Sequence, residues 1–182
     1  MEYSPLLALT TALFEVVVAV WALRGPGDRS IVRTTAAILI LLAGYQVTEV
    51  AICANAGAPG VLPRLAFLDV TWLPPLGLVL VAQLRRPRSR LAHAASRAMV
   101  AAALGIAAWI ALDRSFATAS VCSAVYARYT HVMPRFAVYA GFYWIGLFGM
   151  VAFSGYGART SVDLHRRRLL THVFFGTLGF VV

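Results

Sequence analysis

Three of the seven acidic side chains, Glu15, Glu49 and Asp69, lie inside long apolar runs. There an ionised carboxylate is costly, and a protonated one can carry or relay a proton. A central charge such as Asp costs about 2.5 to 3.5 kcal/mol on the membrane-insertion scale, so acids kept at that depth point to a site or to a structural polar network. Gln46, Glu49 and Cys53 repeat as i, i+3 and i+7 and therefore share one helical stripe. Glu49 and Asp69 fall at one level, in the outer third of a bilayer, and Glu15 near its middle. Glu15, Gln46, Glu49 and Asp69 are therefore expected to line an outward-facing polar cavity able to hold a cation or a proton.

Two further features bear on that cavity. Pro74 and Pro75 cannot donate to the carbonyls of Val70 and Thr71, so the helix through Asp69 is expected to break there, with carbonyls exposed beside the carboxylate or with the kink used for packing. Arg64 and Arg135 lie near the same level, and either could pair with Asp69 or Glu49 as a structural ion pair. His131, Glu49 and Asp69 would suit zinc or another divalent ion by ligand type, but HxxxH, HExxH and CxxC are absent and no motif names a cofactor.

The elements that must position these residues are membrane helices. With 60% hydrophobic and 13% charged residues in 182, the chain has too little polar surface for a water-soluble globule. The expected fold is an all-α polytopic bundle in one domain, with spans near 5–23, 34–54, 62–83, 97–113, 136–155 and 169–182, each apolar enough for a core of roughly 30 Å except the last. That sixth run is still apolar at Val182 and reads as a span continuing further. The stretch "LDVTWLPPLGLVL" at 68–80 resembles the counterion helix of microbial rhodopsins, which implies a retinal held by a lysine; no lysine occurs here, so membership of that family is not inferred.

All sixteen basic residues are arginine. Arg24, Arg29 and Arg33, then Arg85, Arg86, Arg88, Arg90 and Arg97, then Arg159, Arg166, Arg167 and Arg168 occupy three alternate loops; Arg64, Arg114, Arg128 and Arg135 occupy the others. This bias predicts an N-terminus outside and arginine-rich loops in the cytoplasm of a bacterial inner membrane, and it explains a net charge of +9 without nucleic acid. Cys53 and Cys122 then both face the oxidising side, where a disulfide would tie the 114–135 loop to the second helix. Tyr126, Tyr129, Phe136 and Tyr139 read as an interfacial aromatic belt. With short loops and no catalytic signature, the favoured function is a non-catalytic subunit of a larger membrane complex, contacting lipid and other membrane subunits or its own copies. A transporter, channel or sensor with an outward-facing cavity is the alternative, and a membrane enzyme the least supported reading.

Overall fold

The apolar runs form helices that outrun their hydrophobic windows, because polar ends can continue a helix into the interface. The computed structural model describes residues 4–55, 61–85, 89–123 and 127–181, with backbone alone for 118–120, 131, 180 and 181. Its elements are α1 (Pro5–Arg24), α2 (Arg29–Ala54), α3 (Val61–Val70), α4 (Leu73–Leu84), α5 (Arg90–Leu112), β1 (Ala117–Cys122), β2 (Ala127–His131), α6 (Met133–Thr160) and α7 (Leu164–Val181). Among the described residues five stretches are long and apolar enough to cross a membrane, α3 and α4 counting together as Val61–Leu84. The expected sixth span is part of α7, which starts at Leu164 and carries Arg166, Arg167 and Arg168 in its first turns. It is not among the five.

Local chemistry sets the helix ends. Asp28 caps α2 by accepting from the Ser30 N–H at 3.0 Å, and Ser89 caps α5 by accepting from the Ala92 N–H at 3.3 Å. The third span breaks as expected. The α3 helix stops at Val70, and Pro74 and Pro75 lie in the first turn of α4, where missing donors cost least. The break is packed: Pro74, Pro75 and Thr71 are among the largest fully buried side chains. Arg86 and Arg88 lie outside the described residues. At the arginine-rich end Arg166 donates to the carbonyls of Gln83 and Leu84 at 3.4 and 3.3 Å, satisfying the C-terminus of α4, and Arg85 stacks 5.1 Å over Tyr156.

The α1 helix packs chiefly on α2, α4 touches α2, α5, α6 and α7, and α6 lies on α7. Small residues bring these helices close, as membrane packing requires. On α1 the buried stripe is Ala8, Ala12 and Ala19, with Glu15 in the same row. Among the described residues the fold departs from an all-α bundle between α5 and α6, where the chain forms an antiparallel hairpin, β1 against β2, pairing Val121 with Arg128 and Cys122 with Ala127.

Candidate functional site

The hairpin is fastened onto α2 along the stripe Gln46, Glu49, Cys53. Cys53 and Cys122 form a disulfide with Cα atoms 5.7 Å apart, as the sequence leads one to expect. One turn deeper, Glu49 is 4% exposed and its Oε1 accepts from the backbone N–H of Ala127 at 2.5 Å. Ile52, Ala66 and Ala127 bury against one another beside Tyr45, Leu62 and Tyr129. The buried carboxylate thus serves a backbone donor at the start of β2. Replacing it by Ala strands that N–H and is expected to cost about 1–3 kcal/mol, whereas Glu49→Gln keeps an oxygen acceptor and costs less. Chemical unfolding in detergent micelles measures both; equal losses would show that the contact to Ala127 is not what Glu49 supplies.

Beneath the hairpin lies a cavity of about 990 Å³ between α2, the broken α3–α4 span, α6 and α7. Its hairpin end is aromatic, with Tyr45, Phe67, Tyr129, Phe136, Tyr139 and Tyr143 in the walls. Phe67 is the hub, its ring centroid 5.2 Å from those of Phe116, Tyr129 and Tyr139, all in edge-on contact. The Tyr45 hydroxyl lies beside that of Tyr129, and the Tyr139 hydroxyl beside Thr71. The far end is aliphatic, with Leu80, Leu147, Met150 and Val173. Tyr139 is only 5% exposed, so it belongs to this core and not to an interfacial belt. Tyr126 lies outside the described residues.

Of the expected cavity residues, Gln46 lines this space and Glu15, Glu49 and Asp69 do not. Glu49 is turned to the hairpin. Asp69 faces α2 at Gly44, where a methyl group would come within 3.0 Å of Asp69 Oδ2. One carboxylate oxygen of Asp69 and one of Glu15 are buried without a hydrogen-bond partner among the described residues. Arg135 pairs with Asp113 at 2.8 Å, not with Asp69 or Glu49, because the hairpin closes the ends of α5 and α6 onto each other. Arg64 reaches the carbonyl of Ala111 at 3.5 Å. Among the described residues no three of His, Cys, Asp and Glu gather as a metal site, and the His131 side chain lies outside them.

The clamp at the base of the hairpin is polar. Asp113 accepts from the Ser115 N–H at 3.0 Å and from its hydroxyl at 2.7 Å, and Arg135 also donates to Ser115 Oγ. The two bonds from Ser115, with the Arg135 charge beside them, hold the Asp113 carboxyl below the ordinary Asp range. A carboxylate depressed in the folded state stabilises it fully above the unfolded value of about 3.9, and that contribution is lost as pH falls through the folded value. Acidification below about 3.9 is therefore expected to loosen the hairpin base, seen as faster amide exchange at 113–117. Asp113→Asn should remove that pH dependence; a profile unchanged by the substitution would assign it to another group.

Sequence reasoning missed Tyr45, Tyr143 and Phe67, and it assigned Tyr129, Phe136 and Tyr139 to an interfacial belt where they line the cavity. A signal existed in α6, where Phe136, Tyr139, Tyr143, Leu147 and Met150 recur at spacings of three and four and all line the cavity. Comparison with known proteins finds no matching family model, no matching curated protein and no matching solved structure.

Proposed function

We propose that the chain is a small-molecule binding module of a bacterial inner membrane, a sensor or transport element whose hairpin faces outward and whose arginine-rich loops face the cytoplasm. The observation that carries this reading is the aromatic-to-aliphatic cavity under a hairpin fastened by a disulfide and a buried carboxylate. Its volume lies at the upper end of what single ligands occupy, and its walls are mostly apolar with a few convergent polar groups, the usual make-up of a ligand site. An oxidising exterior accounts for the disulfide, and twelve arginines against four account for the orientation.

The test compares small molecules extracted from the protein and from Leu147→Trp, both purified from native membranes. Leu147 is 8% exposed on the cavity wall, and an indole there fills part of the space. A compound present with the wild type and lost from a folded Leu147→Trp supports the binding module. Nothing bound in either, together with stoichiometric co-purification of other membrane proteins, favours the subunit reading instead. That second reading draws on α1, which packs chiefly on α2 and leaves Leu13, Phe14 and Trp21 exposed to lipid or to a neighbour.

A further inference from the structure

We infer that the cavity takes an uncharged amphiphile from the bilayer itself, admitted sideways between α2 and α7, with its oxygen-bearing head on Gln46 and Tyr143. This names the ligand class and the entry route of the binding module above and rests on that reading.

The opening follows from how the helices pair. Among the described residues α2 packs on α1, α3, α4 and the hairpin, whereas α7 packs on α6 and α4, so α2 and α7 do not lie along each other. They are joined at the two ends. The Cys53–Cys122 bond fastens α2 to the hairpin, which runs on into α6, and at the arginine-rich end Ile31 of α2 packs with Leu84, Leu170 and Val173. Between these ends Ile38, Leu42 and Gly176 border the cavity, and Gly176 is exposed. The lining stripe of α2 from Ile38 to Gln46 covers about 12 Å near the middle of a 26-residue helix, a depth at which acyl chains and not water meet the opening.

Unmade hydrogen bonds choose the head. Gln46 ends the α2 stripe Ile38, Leu42, Tyr45, Gln46, and Tyr143 sits between Tyr139 and Leu147 on α6; both stripes repeat at helical spacing and line the cavity throughout. Neither the Gln46 amide nor the Tyr143 hydroxyl has a hydrogen-bond partner among the described residues. The Tyr45 hydroxyl lies within electrostatic reach of Tyr143, so polar groups from α2 and α6 converge across the space. Among the described residues no charged side chain is directed at them. Glu49 accepts from Ala127, Asp69 faces Gly44, and Arg128 borders the roof with an exposed side chain, opposite exposed Val121 and between the more buried Ala127 and Tyr129. A charged head drawn into this space would lose water without meeting a counter-ion. A neutral head with carbonyl or hydroxyl oxygens pairs instead with the amide and the phenol, each of which can both donate and accept.

The test uses the full chain in phosphatidylcholine nanodiscs and three probes of one chain length: the uncharged monoacylglycerol, the alkylsulfonate anion and the alkyltrimethylammonium cation. Apparent affinity is read from the rise in unfolding midpoint with probe concentration. The monoacylglycerol is expected to bind tightest. Gln46→Leu and Tyr143→Phe, which remove the polar group and keep the apolar part, should each weaken it about fivefold. Gly176→Trp, at a position where an added Cβ has nothing within 4 Å, plugs the opening and should abolish the rise. Tighter binding of either ion, or a monoacylglycerol affinity untouched by both Gln46→Leu and Tyr143→Phe, would overturn the uncharged head while leaving the cavity as a binding site. A Gly176→Trp protein that binds like the wild type overturns the side entry. If none of the three binds and Leu147→Trp changes nothing that co-purifies, the binding module itself fails.

Discussion

Reducing the Cys53–Cys122 bond, or replacing both cysteines by Ser, is expected to lower the unfolding midpoint and to free the hairpin from α2. The bond joins residues separated by 69 positions, and chain entropy for a loop of that size corresponds to about 4 kcal/mol. The figure is an upper value, since helices α2 to α5 stay inserted in the membrane when tertiary contacts are lost and already restrain the loop. After reduction the base of the hairpin is still held by the Asp113–Arg135 clamp and by buried Phe116 and Ala117, and its far end by the Glu49 contact to Ala127, the cluster of Ile52, Ala66 and Ala127 and the Phe67–Tyr129 ring contact, so loosening is expected first at the end near Cys122 and Ala127. Because Ala127, Arg128 and Tyr129 roof the cavity, a loosened hairpin should also weaken ligand binding. Hydrogen exchange at 127–131 with and without reductant reports the roof directly. Protection that survives both reduction and the double Ser variant would mean that the carboxylate alone fastens the hairpin.

The cysteine pair was legible because the chain has two cysteines and arginine bias placed both on one side, so few arrangements were left. The stripe Gln46, Glu49, Cys53 was legible for a similar reason: helical periodicity survives in any context once the helix exists. What Glu49 binds was not legible. Its partner is the backbone N–H of Ala127, the first residue of β2, and a sequence displays side chains, not which backbone donors need a partner. The same gap hid the Arg135 partner, since Asp113 lies 22 positions away and only hairpin closure brings the two together. The hairpin itself left a trace, because β2 alternates buried Ala127, exposed Arg128, half-buried Tyr129 and exposed Thr130, a period of two that long apolar helices on both sides outweigh. Asp69 lies beside the helix break that the proline pair predicts, yet it turns to Gly44, and Val70, Leu73 and Pro74 of the break line the cavity in its place.

The packing of Pro74 on α6 makes Gly146→Ala a second severe substitution, and its contrast with Gly77→Ala isolates the cause. A methyl group on Gly146 would sit 2.4 Å from Cβ of Pro74 and 2.8 Å from Cε of Met99. Pro74 cannot swing aside: its ring is part of the backbone in the first turn of α4, and it is fully buried. The α6 helix must therefore retreat, at a cost of about 1–3 kcal/mol for overpacking, and it carries Tyr143 and Leu147 of the cavity wall with it. At Gly77 the methyl would lie equally close, 2.4 Å, but to Sδ and Cε of Met150, the mobile end of an unbranched chain that can repack. Gly105 and Gly141 have nothing within 4 Å, so Ala there should be neutral or stabilising by up to about 1 kcal/mol through helix propensity. Unfolding midpoints in nanodiscs should fall in the order Gly105→Ala, wild type, Gly77→Ala, Gly146→Ala. If Gly146→Ala proves as stable as Gly105→Ala, then α4 and α6 do not meet at Pro74, and the cavity between them loses its lower wall.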